Sequence, residues 1–389
     1  MNCFSWSPRL RCSHRSNDGG GGGGGPCSPC SYAQQSSMGM RRRSEQATPW
    51  YPQPAHKFTL AQLSAATDGF RDTNLIGEGG FGRVYKGRIG LDGSGLPAVV
   101  AVKQLCRRGV QGTNEFLVEC MMLMMLHHPN LVSLVGYCVD ADERLLVYEL
   151  LPRGSLDAHL FPGGSGGHDP LGWAARVKIA LGAARGLRYL HDVVTPPVIY
   201  RDLKSSNILL ADDLSPKLSD FGLARLGPVG DDTHVTTRVM GTYGYCAPDY
   251  AMSGKLNVKS DVYSFGVVLL ELITGRRAFD AARPVPEEQR LLIWARPYLA
   301  GDRKRCFALA DPALQGRYPR RAFYQLAVVT SLCLRDKPNL RPTMADVTRA
   351  LEHVAAAAHP WEDENQRATP DALCPSLSSS SRPLSNNVS

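Results

Sequence analysis

Apolar residues first recur at helical spacing near residue 58. Leu60, Leu63, Ala66 and Phe70 fall at three- to four-residue intervals and so share one face of a short helix between Phe58 and Phe70. Strand-like alternation then flanks the glycine-broken segment Leu75 to Lys86, which reads as a hairpin with a bare backbone tip. Val99 to Lys103 is an apolar strand carrying one lysine. A helix is expected from about Thr113 to Leu126, with His128 as its limit because Pro129 disfavours helical geometry in the residue before it. Leu131 to Val135 and Leu145 to Glu149 read as two further strands, which completes a small sheet of about five. Beyond a connector at Glu149 to Gly154 the spacing turns helical. Val177, Ala180, Ala184, Leu187 and Leu190 mark one face of a helix from Trp173 to His191. Lys259 to Thr274 is apolar nearly all round, too short for a bilayer, and reads as a buried central helix ended by Gly275. Helices continue to about Ala358, with Arg341-Pro342 opening the last. A β-rich part followed by a larger helical part predicts an α+β chain of two lobes sharing a cleft.

Composition adds two tails to this picture. Residues 1 to 56 contain the glycine run Gly19 to Gly25 with scattered Ser, Pro and Arg, and the stretch from 356 to 389 is polar and Ser-rich; both are expected to be disordered because they cannot bury enough apolar surface. The net charge of +8 is modest and drawn largely from Arg9, Arg11, Arg15 and Arg41-Arg42-Arg43, which argues against a nucleic-acid partner and admits peripheral contact with an anionic membrane surface. No run approaches the roughly 18 to 20 apolar residues of a transmembrane segment, so a cytosolic protein or one on a cytosolic membrane face is expected. The 11 cysteines are odd in number and dispersed, which speaks against a disulfide framework. Cys27-Ser28-Pro29-Cys30 has metal-ligand spacing but no second pair nearby. Cys3, and with it Cys12, is a candidate for S-palmitoylation, whereas Asn2 rules out N-myristoylation.

The candidate chemistry centres on Val198 to Leu210, where Asp202, Lys204 and Asn207 sit between two apolar runs that can pin both ends of the loop as short strands. Taken alone this is also the pattern of a charged surface hairpin. In the segment from Gly77 to Gly82 the glycines let main-chain N–H groups approach phosphate oxygens. A dinucleotide-binding turn is the alternative, but such a turn opens a helix, and here Val84 and Tyr85 continue as strand. Lys103 needs a partner or an exposed strand end. Glu119, on the face of the following helix that carries Phe116 and Leu123, is the candidate partner, since a carboxylate on an apolar face is costly unless paired.

Glycine hairpin, strand lysine, helix glutamate, the Asp202 to Asn207 loop and Asp220-Phe221-Gly222 occur in an order that resembles the eukaryotic protein kinases, over about residues 70 to 355. Gly77 to Gly87, Leu126 to Val132, Tyr200 to Asn207 and Arg238 to Tyr245 are similar to plant receptor-like cytoplasmic kinases of the PBS1-like type. The resemblance implies a bilobal kinase domain at 74–355, preceded by a helical extension at 57–73. It implies a Ser/Thr kinase that phosphorylates proteins and itself, below cell-surface receptors and often in immunity, with an upstream receptor kinase as partner.

It also implies roles. Ile76, Gly77, Glu78, Gly79, Gly80, Phe81, Gly82, Val84, Ala101 and Lys103 would surround ATP, with Glu149 and Leu151 offering backbone groups to adenine. Asp202 would accept the substrate hydroxyl proton, Lys204 would steady the phosphoryl group, and Asn207 and Asp220 would hold Mg2+, with Mn2+ as an alternative ion. Arg201, otherwise unpaired, would be matched by phosphate on Thr233, Thr236 or Thr237. Tyr200 replaces the usual His. Asp249 replaces a Glu that pairs with a distal arginine, here Arg341, and the shorter side chain predicts a strained or water-bridged pair. A weakly active, pseudokinase-like scaffold is therefore the alternative function.

Overall fold

The computed structural model describes residues 55–80, 82–90, 97–105, 110–161, 170–230, 232–299 and 303–367. Phe81, Cys3, Cys12, the basic and glycine runs and the stretch beyond 367 lie outside the described residues. The first part carries β1 (His56–Lys57), α1 (Leu60–Ala66), β2 (Leu75–Gly79), β3 (Gly82–Gly90), β4 (Pro97–Leu105), α2 (Val110–Met125), β5 (Leu134–Asp140) and β6 (Glu143–Glu149). Its strands form one six-stranded sheet in the order β1-β5-β6-β4-β3-β2.

Alternation along the strands sorts the side chains between two cores. Val100, Val102, Leu145 and Val147 pack with Leu63 of α1. Leu146 and Tyr148, from the other face, join Phe116 and Leu123 of α2. Lys103, one residue after Val102, is thereby turned toward α2. Helix α1 is shorter than the expected span to Phe70 because Asp68, Gly69 and Phe70 all take φ near +60° (54°, 74° and 56°), which ends it. Thr59 caps its start, accepting from Gln62 N at 3.2 Å while Gln62 Oε1 accepts from Thr59 N at 2.8 Å.

Two expectations are corrected in the sheet. The strand placed at Leu131 to Val135 lies at Leu134–Asp140, because Leu131 and Val132 pair elsewhere: Val132 N donates to Leu218 O and Leu218 N to Asn130 O, each at 2.9 Å. The sixth strand is β1, parallel to β5, and it approaches so closely that a Cβ on Gly136 would lie 2.3 Å from His56 O.

The helical part holds α3 (Leu156–Leu160), α4 (Trp173–Arg188), β7 (Val198–Ile199), β8 (Ile208–Leu210), β9 (Pro216–Leu218), β10 (Arg225–Leu226), β11 (Val235–Thr236), α5 (Pro248–Ser253), β12 (Lys255–Leu256) and α6 (Val258–Thr274). It continues through α7 (Pro286–Gln289), α8 (Leu291–Leu299), α9 (Arg303–Cys306), α10 (Arg320–Cys333) and α11 (Met344–Arg367). The architecture is the expected α+β arrangement of a β-rich lobe and a helical lobe. Helix α4 stops at Arg188 and closes in a π-turn, Tyr189–Val193. Helix α11 begins at Met344 and runs past the expected limit near Ala358, through the strongly helix-forming run Ala355 to Ala358. No described helix is long and apolar enough to cross a membrane.

Helix α6 is buried along nearly its whole length and ends at Gly275, φ 63°, where a Cβ would lie 2.2 Å from Asp311 Oδ2. Its one acidic residue in the first turn, Asp261, is fully buried and ties α6 to the loop after β7.

Candidate active site

A cleft of about 860 Å3 lies between sheet and helical lobe. Ile76, Gly77, Glu78, Gly79, Gly80, Gly82, Val84 and Ala101 line it from the sheet, Glu149 to Gly154 from the connector, and Lys204, Asn207, Leu209 and Asp220 from the far side. Of the hairpin glycines only Gly82 is sterically required: at φ 137° its Cβ would fall 2.0 Å from Gln104 O. A Cβ on Gly79 or Gly80 would meet nothing within 4 Å. What these residues contribute is therefore uncovered backbone facing the cleft.

At the back of the cleft Lys103 Nζ lies 2.9 Å from both Glu119 Oε2 and Asp220 Oδ1. Burial disfavours the Lys103 charge, but the two carboxylates outweigh it and hold the ammonium well above its ordinary pKa. Glu119, 1% exposed, uses its other oxygen to accept from Phe221 N at 3.2 Å, so α2, β4 and the Asp220-Phe221-Gly222 turn share one ion pair. Burial raises the Glu119 carboxyl against the pull of Lys103. Asp220 takes φ 61°, an unusual conformation for a non-glycine residue that these contacts sustain.

Asp202 is 3% exposed and is joined to the cleft through Lys204 and Asn207. Its Oδ2 lies 2.9 Å from Lys204 Nζ and accepts from Asn207 Nδ2 at 3.2 Å, while Oδ1 accepts from Thr242 Oγ1 at 2.7 Å. Lys204 Nζ in turn donates to Thr242 Oγ1 at 3.0 Å. Asn207 Nδ2 also donates to Asp202 O at 2.9 Å, which leaves its Oδ1 as an acceptor. Asp220 Oδ2 and Asn207 Oδ1 are hard oxygen donors at the cleft, and no group of three His, Cys, Asp or Glu ligands occurs among the described residues. That set fits an ion completed by phosphate oxygens better than an all-protein cage.

The connector narrows one expectation. Glu149 N donates to Ser133 O at 3.2 Å and its carboxylate is held by Ser133 N and Lys217 Nζ, at 2.8 and 2.7 Å, so only its carbonyl is left for a nucleobase.

Arg201, φ 74°, meets no carboxylate among the described residues, but its guanidinium is hydrogen-bonded to neutral groups. Its guanidinium donates to Tyr250 Oη at 2.8 and 3.1 Å and to Arg238 O, with Thr237 Oγ1 at 3.5 Å. Thr236 lies in β11 opposite Lys255, and Thr233 is exposed with its hydroxyl 3.1 Å from His234 Nδ1. Asp249 reaches Arg341 directly at 2.5 Å, without a bridging water. Arg341, 2% exposed, also donates to the carbonyls of Arg335, Asp336 and Lys259 at 2.7 to 3.0 Å. The shorter side chain thus leaves the buried pair intact, and the scaffold alternative loses its basis.

Asp261 and Glu271, which the sequence did not single out, organise the loop together with Tyr200 and Tyr245. Asp261 accepts from Arg201 N at 2.7 Å, Tyr200 N at 2.8 Å and His191 Nε2 at 2.9 Å. A carboxylate inside an apolar helix is the signal that could have found it. The Tyr200 ring packs tilted against Phe221, centroids 4.9 Å apart, and its hydroxyl donates to Ser219 O. Glu271, buried in α6, accepts from Tyr245 Oη at 2.7 Å and Ala278 N at 2.9 Å, while its Oε2 has no hydrogen-bond partner among the described residues. Tyr245 Oη is also 3.3 Å from Ser205 Oγ, so this carboxyl sits under the Asp202–Asn207 loop.

Burial pushes the Glu271 carboxyl up to about 7 from the ordinary 4.5. Because the folded form keeps the proton longer, stability falls as pH rises from 4.5 to about 7 and is flat above, by about 3 kcal/mol. Glu271→Gln, neutral at every pH, is expected to remove that slope and to be more stable than the parent at pH 8 but not at pH 5 by urea unfolding. Equal slopes for the two proteins would refute this assignment.

The model of the protein tyrosine and serine/threonine kinase family matches residues 70–351. The chain belongs to this family and, within it, to the PBS1-like receptor-like cytoplasmic kinases that its motifs resemble. It is 58% identical over 332 residues to serine/threonine-protein kinase PBL27 of Arabidopsis thaliana, across 83% of this chain and 62% of that relative. To serine/threonine-protein kinase PBS1 of the same plant it is 58% identical over 320 residues, covering 80% of this chain and 67% of PBS1. Probable serine/threonine-protein kinase PBL7, also from Arabidopsis thaliana, is 60% identical over 302 residues, 78% of each chain. The chain thus spans under two thirds of PBL27.

Proposed function

We propose that this chain is a Ser/Thr protein kinase that transfers the γ-phosphate of ATP to protein hydroxyls, with residues 74–355 as its catalytic domain. The observation that carries the reading is the setting of Asp202: one carboxylate oxygen bonded to Thr242, the other to Lys204 and Asn207, beside a cleft whose far wall is the Lys103–Glu119–Asp220 cluster.

Phosphoryl transfer needs positioning and charge neutralisation more than covalent catalysis. Lys103, oriented by Glu119, supplies a fixed positive charge to the nucleotide phosphates, and the bare backbone of the β2–β3 hairpin lets phosphate oxygens approach its N–H groups. Asp202 orients the incoming hydroxyl and accepts its proton. Lys204, shared between Asp202 and Thr242, places positive charge where the phosphoryl group passes. Asp220 and Asn207 would hold Mg2+, or Mn2+ in its place, which neutralises phosphate charge when bound. Arg201 lies 3.5 Å from Thr237 Oγ1, and phosphate on Thr237 would strengthen the hold of Arg201 on the segment before α5.

The test is incubation of the purified chain with Mg-ATP and a generic protein substrate, followed by phosphoamino-acid analysis and mapping. Phosphoserine and phosphothreonine are expected, with phosphate on Thr237 in the autophosphorylated protein; no incorporation at all would refute the kinase reading.

The family resemblance supports a wider setting for this reading: signalling beneath a plant cell-surface receptor kinase, in immunity, at the cytoplasmic face of the plasma membrane. Attachment there would rest on Cys3, Cys12 and the basic residues around them. Cys3→Ser with Cys12→Ser is expected to shift the protein from the membrane to the soluble fraction, and unchanged fractionation would count against acylation.

A further inference from the structure

Next to Asp202, where the incoming hydroxyl would sit, the surface is aromatic and carries cations that no carboxylate of the described residues pairs with. Thr242, bonded to Asp202, is followed by Tyr243, which is 60% exposed. The Tyr243 ring meets Phe279 edge-on, with centroids 5.0 Å apart. Phe279, itself 40% exposed, bridges to the backbone of Arg290, whose guanidinium lies 5.8 Å from the centre of the Tyr243 ring. Gly244 seats this strip against the chain at Ala278: at φ 92° a Cβ there would come 3.3 Å from Ala278 Cβ. Arg277, beside it, lies 4.5 Å over the ring of Phe161 at the end of α3.

Charge accounting separates these two arginines from their neighbours. In the segment 276–290, Arg276 pairs with Glu288 at 3.3 Å, and Arg283 pairs with Asp280 at 3.3 Å and Glu288 at 3.8 Å. Arg277 and Arg290 are exposed, and neither has an ion-pair partner among the described residues. Glu287, exposed on α7, is the one acidic residue of the segment left without a counter-charge there. Gly241 to Cys246 contains no acidic residue at all. A substrate segment crossing this ledge therefore meets two guanidiniums backed by aromatic rings. A carboxylate or phosphate gains a charge-assisted, forked contact from each, and a basic residue is repelled.

We propose that Tyr243, Phe279, Arg277 and Arg290 form a substrate-docking ledge that selects acidic residues flanking the phosphoacceptor Ser or Thr. The proposal rests on the kinase reading above and adds the substrate class. Because the arginines are exposed, each contact is modest, on the order of fivefold in kcat/KM.

The experiment uses the full chain, Mg-ATP and a set of neutral-bodied Ser peptides in which Asp, Ala or Lys is walked through the positions on either side of the acceptor. Asp is expected to raise kcat/KM over Ala about fivefold at one or more positions, mainly through KM, with Lys lowering it and the difference shrinking at high salt. Arg290→Ala should bring the Asp-to-Ala ratio at the position it reads to about one, Arg290→Glu should invert it, and Arg277→Ala should flatten a different position. Phosphorylation of all peptides at equal rates by the parent protein would overturn the ledge and leave the kinase reading standing. A preference unchanged in both the Arg277 and Arg290 variants would overturn it likewise. Absence of phosphorylation of any peptide and of the protein itself would remove the kinase reading, and the ledge with it.

Discussion

Asp202→Asn is expected to lower incorporation of phosphate from Mg-ATP by about a thousandfold or more, at the level of losing a positioned general base together with its orienting charge. The substitution keeps the side chain's shape but not its acceptors. The position that now accepts from Asn207 Nδ2 at 3.2 Å and lies 2.9 Å from Lys204 Nζ would carry an amide donor, or else the Thr242 side would. The loop must then lose one contact or turn Lys204 away. Nucleotide affinity should survive, because Asp202 does not line the cleft whereas Lys103, Asn207 and Asp220 do. ATP-dependent thermal stabilisation of the variant, beside the rate of radiolabel incorporation, separates the two effects. Incorporation within tenfold of the parent would exclude Asp202 as the base.

Lys103→Met is the second large expected effect, and it has two readouts. Loss of the cation that meets Glu119 and Asp220, each at 2.9 Å, should abolish ATP-dependent thermal stabilisation and cut turnover by about a hundredfold or more. It also leaves Glu119, 1% exposed, without its counter-charge, at a cost of about 3 to 5 kcal/mol at neutral pH. The sign of the pH dependence follows. Burial already raises the Glu119 carboxyl while Lys103 lowers it, so removing Lys103 drives the folded-state pKa further up. The variant should therefore regain stability relative to the parent as pH falls and Glu119 takes up a proton. Urea unfolding at pH 5 and pH 8 tests this; a deficit equal at both values would show that Glu119 finds another cation.

The pairing of Lys103 with Glu119 was legible before any coordinates because each residue was anomalous in its own element. A lone lysine in an apolar strand and a carboxylate on an apolar helix face each demand a partner. The same test applied to α6 would have exposed Asp261 and Glu271, both buried in a helix that reads as apolar nearly all round. Thr242 gave no comparable signal: a hydroxyl among glycines is ordinary loop chemistry until folding brings it 2.7 Å from Asp202. The Asp249 substitution shows the converse. Compared residue by residue it looked like a shortfall of one methylene, but the backbone places Arg341 close enough for direct contact, and three carbonyls hold that guanidinium in position.

Sequence by itself determined the two-lobed α+β plan, the order of the elements and the hairpin glycines, and, through the order of its motifs, singled out Asp202, Lys204, Asn207 and Asp220 as candidate site residues. These are local properties: periodicity follows from the helix and strand repeats, and residue type limits which groups can transfer protons, carry charge or bind a hard cation. Tertiary structure alone decided which groups meet: Lys103 with Asp220, Thr242 with Asp202, Asp261 with the backbone of Tyr200 and Arg201, and Arg277 and Arg290 left uncompensated beside Tyr243. Those meetings depend on chain separations of tens of residues or more. No spacing rule reaches so far, because the partner of a charge is chosen by packing of the whole core around it.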